Sequence, residues 1–486
     1  MFKHALLEDA LYNALVKGKR QQFHRRVAEV LEGQFPQTVE TQPELLAHHF
    51  TEAGIGERAI AYWLKAGLRS RERFAEVEAI GHLTRGLALL ETLAASPERD
   101  ARELDLLRPL GSAYMASRGY AAPEVGPVFA RSLELSERVG QPPQVFASMY
   151  GNWAFYFVRG GLWQCTDLAS KAVEFARQHG DPEILMEALK MRGQTILYRA
   201  DFTHAHDDVA LAVDKYDDRE RTKYWEAYTS QDPAVANRCH LAVSLWHLGF
   251  SDQALSVNRE MVRLAREIDH PFSLAYALHH TCWLNLGFRL GAKLTSAAEE
   301  QIAISSEQGF PLWQASGMFF KGAGLFHEGH LQDGLPLLLK GLHAFQATGA
   351  ELMLTYQFST LGQAYTMAGQ FEAARRALDD GLALVQKNDE RFQESELQRL
   401  LGELHLVQTD DQVAAEECFR TAIQTARRQQ SRAWELRSTT SLAGLWQRQG
   451  RRDEARDALA AVYGTYTEGF AMPDLIDARA LLEALS

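Results

Sequence analysis

A pattern that recurs about every 40 residues is the feature of this 486-residue sequence that most constrains its fold. Gly329 and Gly369 lie 40 residues apart, and Gly249 and Gly450 fall close to two periods outside them. Apolar residues recur at spacings of three and four on both sides of each glycine, which predicts two amphipathic helices in every copy. Because one helical pair cannot bury its own apolar side, the copies must stack on one another. The repeat therefore predicts an all-α solenoid of helical hairpins.

The clearest copy of the repeat includes the stretch from Gly362 to Leu378. Gly369 ends the first helix, because glycine enters the left-handed backbone conformation there without strain. The small residues Gly362 and Ala374 allow the two helices to approach closely. The large side chains of Tyr365 and Leu378 are expected to fill the space between them.

Two copies lack the glycine, and their breaks are expected near Arg289 and Asp410. The pattern as a whole resembles the tetratricopeptide repeat over about residues 105 to 480, although its period is longer than the roughly 34 residues of that family. The resemblance implies a right-handed α-solenoid, or superhelix, in which the first helix of each pair lines a concave surface. A polar insertion is predicted at about residues 217–233, where Asp232 can cap the helix that begins near Ala234.

The first 55 residues follow a different pattern, in which Phe2–Tyr12 and Phe23–Ala28 predict two amphipathic helices. This stretch resembles the junction in large bacterial signalling ATPases where a nucleotide-binding domain ends in a winged-helix element and helical repeats follow. The segment Trp434–Phe470 resembles the C-terminal end of the same proteins. The wider resemblance is to the tetratricopeptide half of bacterial proteins that also carry a class III adenylate/guanylate cyclase domain and a STAND-type ATPase. The organisation expected is a remnant of the winged-helix/ATPase junction in residues 1–55, linking helical hairpins in 56–104 and the solenoid in 105–480.

Motifs for catalysis are missing from the sequence. It has no G-x-x-x-x-G-K-[ST] loop to hold phosphates and no G-x-S-x-G turn to present a nucleophilic serine. No acidic motif for the metal pair of a cyclase is recognisable either. Neither catalysis nor a bound cofactor is therefore expected, and the chain is interpreted as a detached, truncated or standalone regulatory half.

The histidines and cysteines are spaced in a way that argues against a metal site. His204 and His206 stand two apart, so on a helix they point to different faces. The neighbours His48 and His49 are not expected to face one ligand together from a single helix. The four cysteines are far apart and form no C-x-x-C pair, so neither a zinc site nor a disulfide framework is predicted.

The charge and hydropathy of the chain exclude several classes of partner. Its formal net charge of −12 opposes binding to nucleic acid, whose phosphates need a basic surface. No apolar run approaches the roughly 18 residues expected of a membrane-spanning helix, and no signal peptide is recognisable. A cytoplasmic protein is therefore predicted, without nucleic acid binding and without membrane insertion.

The predicted concave surface is rich in aromatic side chains. Aligning the copies on Leu361 and Gly362 gives a set of inward-facing residues, most of them aromatic or histidine, and protein interfaces favour aromatic anchors. These candidate groove residues are Trp246, Tyr276, His279, Trp283, Phe319, Phe326, Tyr356, Gln363 and Thr366. The alternative is that several of them pack between neighbouring helices.

The main functional hypothesis is a non-catalytic scaffold that binds a protein or peptide in the concave groove. In a larger system it would be the regulatory or sensor half of a bacterial ATPase/cyclase signalling protein, with the ATPase/cyclase module as a further partner. One alternative is a subunit of an ATP-dependent or adenylate/guanylate cyclase assembly whose catalytic domains act in trans or were lost by truncation. The other is a small-molecule-sensing domain of the tetratricopeptide type.

Overall fold

The computed structural model of the chain describes residues 16–73, 75–216 and 231–486. Within these residues it contains 24 helices and no β-strand. Successive helices pair as hairpins that stack on one another, so the predicted all-α solenoid of helical hairpins is confirmed. None of the described helices is long and apolar enough to cross a membrane.

The helices are numbered in chain order. They are α1 (Lys17–Gln34), α2 (Pro36–Thr41), α3 (Pro43–Glu52), α4 (Gly56–Glu72), α5 (Glu76–Leu90), α6 (Pro97–Arg118), α7 (Val125–Val139), α8 (Pro142–Val158), α9 (Leu162–His179), α10 (Pro182–Tyr198), α11 (Phe202–Asp214), α12 (Pro233–His247), α13 (Ser251–Ile268), α14 (Pro271–Gly287), α15 (Gly291–Gln308), α16 (Pro311–His327), α17 (Leu331–Ala347), α18 (Leu354–Met367), α19 (Phe371–Asn388), α20 (Glu394–Thr409), α21 (Gln412–Arg428), α22 (Arg432–Arg448), α23 (Arg452–Tyr463) and α24 (Pro473–Leu485).

The chain divides into two compact units, Met1–Phe155 and Tyr156–Ser486. Unit 1 contains α1 to α7 and most of α8, and unit 2 contains α9 to α24. The limits predicted at residues 55 and 104 stay predictions. The predicted helix at Phe2–Tyr12 lies outside the described residues, as do residues 217–230, which make up most of the predicted insertion.

The hairpins turn at the residues that the repeat indicates. Gly329 and Gly369 have left-handed φ angles of 89° and 71°. Where the glycine is missing, Arg289 and Asp410 adopt the same backbone region, with φ angles of 58° and 52°. A residue with a Cβ atom loses about 1–2 kcal/mol in that region, so these two copies keep the turn at a cost in stability.

Small residues allow the close approach of helices that the sequence predicts. A Cβ atom placed on Gly362 would lie 2.4 Å from Cδ2 of Leu378, and both Leu378 and Ala374 are fully buried. The helices α16 and α17 approach each other through their backbones, since a Cβ atom on Gly341 would lie 2.4 Å from the backbone nitrogen of Phe319. The packing role expected for Gly362 and Ala374 is therefore confirmed.

Helix α12 begins at Pro233, as expected from the residues around it. The side chain of Asp232 accepts hydrogen bonds from the backbone N–H groups of Ala234 and Val235, at 2.9 and 3.3 Å. Proline suits the first helical position because its missing N–H would have no partner there. The capping role predicted for Asp232 is confirmed.

Unit 1 is stabilised by the apolar faces of successive helices. Ala28 of α1, Phe50 of α3 and Trp63 of α4 belong to one buried cluster. Leu83 of α5 and Leu106 of α6 belong to the next cluster along the unit. Helix α1 therefore packs directly against α3.

In unit 2 the two helices of each hairpin differ in burial. Nearly every residue of α12 and α14 is buried, including the polar side chains of Asn237 and His280. Helix α13 buries only one face, through residues such as Ala254, Met261 and Ala265. A helix that is buried all round is enclosed by other helices. The first helices of the hairpins thus form the inside of unit 2, and the second helices form its outside.

Candidate ligand site

The inner side of unit 2 is filled by the chain itself. The turn before α20 reaches the end of α10, where the backbone N–H groups of Arg391 and Phe392 donate to the carbonyl oxygen of Tyr198 at 2.9 and 3.2 Å. The ring of Phe392 stands edge-on to that of Tyr198, with 5.4 Å between the ring centroids. Next to this contact, Arg199 forms an ion pair with Asp389 at 2.6 Å, across 190 positions of sequence.

A second set of contacts joins α12 and α14 to α18 and α22. The indole N–H of Trp434 donates to the carbonyl oxygen of Phe392 at 2.8 Å, and its ring centroid lies 5.1 Å from that of Trp246. The hydroxyl of Tyr356 donates to the carbonyl oxygen of Trp283 at 3.0 Å. The surface predicted to be a concave groove is therefore occupied by side chains of the same unit.

The candidate groove residues separate into two groups in the structure. The buried group consists of Trp246, Tyr276, His279, Trp283, Phe319, Phe326 and Tyr356. Gln363 and Thr366 are half-buried. The aromatic members pack between helices of unit 2 and do not face solvent. Binding of a partner to this set stays a prediction.

His279 shows how the polar members of this interior are accommodated. Its Nδ1 atom lies 3.1 Å from the hydroxyl oxygen of Ser316, and its Nε2 atom lies 3.2 Å from the sulfur of Met353. Burial, together with the neighbouring His280 and His240, holds the pKa of His279 well below its ordinary value. Its ring is therefore neutral at pH 7 and serves as a packed hydrogen-bonding group.

A polar cavity of about 310 Å³ lies among α14, α16, α18, α20, α22 and α24. Its wall carries three guanidinium groups and four carboxylates, which leave one excess negative charge. These charged residues are Arg289, Arg399, Arg437, Glu396, Glu403, Asp474 and Asp477. The uncharged polar residues of the wall include His327, Tyr356, Ser359, Thr360, Gln363, Gln393, Thr440 and Ser441.

Arg437 is the central cation of the cavity wall. One of its terminal nitrogens donates at 2.6 Å both to the carbonyl oxygen of Gly287 and to the carboxylate of Asp474. Its other terminal nitrogen donates to Glu396 at 3.3 Å. Burial alone would raise the pKa of Asp474, but the charges of Arg437 and Arg289 hold that pKa below its ordinary value. Asp474 is therefore ionised and joins α24 to α22.

Arg399 forms the second charged contact, within α20. It donates twice to Glu396 at 2.8 Å and once to Glu403 at 3.3 Å. Ser441 of α22 donates to the same Glu403 carboxylate at 2.7 Å. Although burial raises the pKa of Glu396, the charges of Arg399 and Arg437 lower it below its ordinary value. These acids and bases compensate one another, so the wall presents a fixed pattern of donors and acceptors.

His327 and Gln393 are two of the uncharged polar groups of the wall. Burial and the charges of Arg437 and Arg289 lower the pKa of His327 to about 4, so its ring is neutral at pH 7. Gln393 is buried, and its Nε2 atom has no hydrogen-bond partner among the described residues. A buried donor without a partner costs about 1–3 kcal/mol.

Sequence reasoning identified Tyr356 and Gln363 of this wall but missed its charged residues. A signal was present in α20, where Glu396, Arg399 and Glu403 follow one another at spacings of three and four. This spacing places three charges on one helical face. Their partners on α14, α22 and α24 are distant in sequence, so the pattern alone could not reveal a common cavity.

No family model matches the chain. An uncharacterized protein of Rhizobium meliloti (strain 1021) is 23% identical to it over 459 residues, which cover 91% of this chain and 43% of that protein. The chain thus spans less than half the length of this relative.

Among solved structures, the Cut9–Hcn1 hetero-tetramer of the APC/C aligns with a TM-score of 0.47 and 14% identity, over 98% of each chain. A Rap protein complexed with competence and sporulation factor aligns with a TM-score of 0.43 and 13% identity, over 89% of this chain and 100% of that one. Yeast Tom70 aligns with a TM-score of 0.35 and 12% identity, over 95% and 96% of the two chains.

Proposed function

We propose that the chain is a non-catalytic binding scaffold whose unit 2 senses a small polar ligand in the cavity around Arg437. The observation that carries this proposal is the polar, charged wall of the cavity, in which Arg437 is held by Gly287, Asp474 and Glu396. A volume of about 310 Å³ lies at the lower end of the roughly 300–1,000 Å³ typical of small-molecule sites. The cavity therefore suits a compact molecule, or the end of a peptide, that offers both hydrogen-bond acceptors and donors.

A screen of polar metabolites and short peptides by thermal shift tests this function. A ligand at one hundred times its dissociation constant stabilises the folded state by about 2.7 kcal/mol, so it should raise the melting temperature clearly. Gln363→Ala and Thr440→Ala remove half-buried groups of the cavity wall and should reduce that shift. Gln346→Ala, at an exposed position of α17, is the matched control and should respond as the wild type does. A shift that is equal in all three variants would contradict a site in this cavity.

The second part of the proposal is that ligand binding regulates an ATPase or cyclase. It is supported by the resemblance of the sequence to the repeat half of ATPase/cyclase signalling proteins and by the greater length of the bacterial relative. In a longer protein that joins this sequence to an ATPase or cyclase, the ligand should change the catalytic rate. Gln363→Ala should then reduce the ligand response while leaving the basal rate unchanged. A ligand response of wild-type size in that variant would contradict the proposal.

A protein or peptide partner on the candidate groove residues is the second candidate function. Residues such as Trp246 and Trp283 are covered by Trp434, Phe392 and Tyr356. Such a partner would have to displace α18, the turn before α20, and α22 from α12 and α14. Proteolysis with and without the partner would detect that opening, through new cleavage within residues 354–367 or 389–448.

A further inference from the structure

Three histidines of unit 1 come together between α1 and α3. His24 lies on α1, and His48 and His49 are neighbours on α3. One nitrogen from each ring belongs to a group in which all three atoms lie within 4.8 Å of one another. The expectation that His48 and His49 do not face one ligand together was based on their positions in α3 alone. The structure adds His24 of α1, whose ring centroid lies 5.7 and 5.0 Å from those of His48 and His49.

We propose that His24, His48 and His49 form a binding site for a divalent transition-metal cation of the zinc class. Imidazole nitrogen suits Zn²⁺, Ni²⁺ and Cu²⁺, whereas Mg²⁺ and Ca²⁺ prefer oxygen ligands. Zinc–nitrogen bonds of about 2.0–2.1 Å in a tetrahedral site place two ligand nitrogens roughly 3.3 Å apart. The Nδ1 atoms of His24 and His49 are 2.8 Å apart, and the three-nitrogen group extends to no more than 4.8 Å. Modest rotations of the rings would bring three lone pairs around one cation.

Charged groups near the cluster act on its rings in opposite directions. Burial and the neighbouring histidines lower the pKa of His49. The pKa of His24 is also lowered, by burial first and then by His48 and Arg20, against the opposing effect of the Glu52 carboxylate. The nearby Glu52 offsets part of the charge that a divalent cation would bring.

The exposure of the three rings defines the kind of site. His24 and His49 are half-buried, whereas His48 is exposed. Three histidines would hold the cation from the protein side, and its fourth position would face water, as in zinc sites that accept an external ligand. The cation would also link α1 to α3 across 25 positions of sequence, so its binding should stabilise unit 1.

Calorimetric titration of Zn²⁺ into the metal-free chain of 486 residues at pH 7.5 tests this proposal. We expect one equivalent of Zn²⁺ to bind, and the melting temperature of the chain to rise on binding. The variants His24→Gln, His48→Gln and His49→Gln each remove one ligand and should weaken Zn²⁺ binding at least tenfold. His343→Gln changes an exposed histidine of α17 in unit 2 and should bind as the wild type does.

His48→Gln is the decisive variant, because an exposed side chain can be exchanged without disturbing the core of unit 1. Its circular dichroism should match that of the wild type while its affinity for Zn²⁺ falls. Failure of the wild type to bind Zn²⁺ at 100 μM would overturn the proposal, as would wild-type affinity in His48→Gln. The ligand screen concerns residues of unit 2 only. A chain that fails to bind Zn²⁺ can therefore still bind a ligand in the cavity, and the reverse also holds.

Discussion

At the scale of the residue, Glu390 shows how unit 2 buries an ionisable group at a tight turn. Glu390 lies between α19 and α20 and is fully buried. The backbone N–H of Met353 donates to both carboxyl oxygens, with 3.1 Å between nitrogen and oxygen in each case. One of these oxygens also accepts a hydrogen bond from the hydroxyl of Thr355. Burial raises the pKa of Glu390 from 4.5 to about 8, although these hydrogen bonds lower it. The group is therefore protonated in the folded chain at neutral pH.

This raised pKa predicts a definite pH dependence of stability. Between pH 4.5 and about 8 the folded state holds a proton on Glu390 that the unfolded state has released, so the free energy of unfolding falls as the pH rises. The contribution is about 1.4 kcal/mol per pH unit, and it is fully present only below pH 4.5. Glu390→Gln cannot titrate, so urea denaturation from pH 5 to 8 should show the wild type losing stability relative to the variant. Parallel curves for the two proteins would contradict the raised pKa.

Residues whose role depends on near neighbours were predictable from the sequence. Asp232 caps α12 through N–H groups two and three positions away, and that pattern is visible in any local window. The role of Arg437 was not predictable, because its acceptor Gly287 lies 150 positions earlier. The cluster of His24, His48 and His49 was not predictable for the same reason, since His24 belongs to another helix than the other two.

At the scale of the element, helix length explains the period of the repeat. Helices α14 and α15 contain 17 and 18 residues, and connections of three and two residues complete the 40-residue period. The extra residues relative to the tetratricopeptide family therefore lengthen the helices and leave the turns short. The period itself could be read from the sequence, but this distribution between helix and turn required the structure.

The hairpin of α16 and α17 depends on glycine. A Cβ atom on Gly341 would meet the backbone of Phe319 at 2.4 Å, and one on Gly322 would meet the backbone of Leu338 at 2.6 Å. Backbone atoms cannot rotate away as the end of a side chain can. The close contact of these two helices is therefore possible only with small residues at both positions.

We expect Gly341→Ala to destabilise the chain by about 1–3 kcal/mol, because the two helices must separate to admit the methyl group. Gly444 in α22 is the matched control, since a Cβ atom there meets no heavy atom within 4 Å of the described structure. Gly444→Ala should stabilise the chain by about 0.5–1 kcal/mol through the lower entropy of the unfolded state. Urea denaturation measures both changes, and equal signs for the two variants would contradict the packing described for α16 and α17.

At the scale of the whole molecule, unit 2 departs from the usual energetics of a repeat protein. Helical repeats generally contact only their nearest neighbours in sequence. In unit 2 the turn before α20 packs on the end of α10, and Trp434 of α22 packs on Trp246 of α12. These distant contacts should make the unfolding of unit 2 more cooperative than that of an open array.

Trp434→Ala tests the energy of these distant contacts. The side chain is almost fully buried, so its removal should cost about 3–5 kcal/mol, and it should leave the carbonyl oxygen of Phe392 without its donor. Trp163 on α9 is the matched control, because its side chain is 60% exposed and contacts the guanidinium of Arg199. Trp163→Ala should cost less than about 1 kcal/mol. Similar shifts of the urea midpoint in the two variants would contradict the distant contacts.

The contact between α10 and the turn before α20 also limits how a chain of this kind can change its length in evolution. The carbonyl of Tyr198 is met by Arg391 and Phe392 only because a set number of hairpins separates them. Duplication or loss of one hairpin in that interval would carry Phe392 past its partner and would empty the interior of the unit. Gains and losses of whole copies should therefore be rare between Tyr198 and Asp477, the last residue that pairs with Arg289, while single substitutions accumulate there.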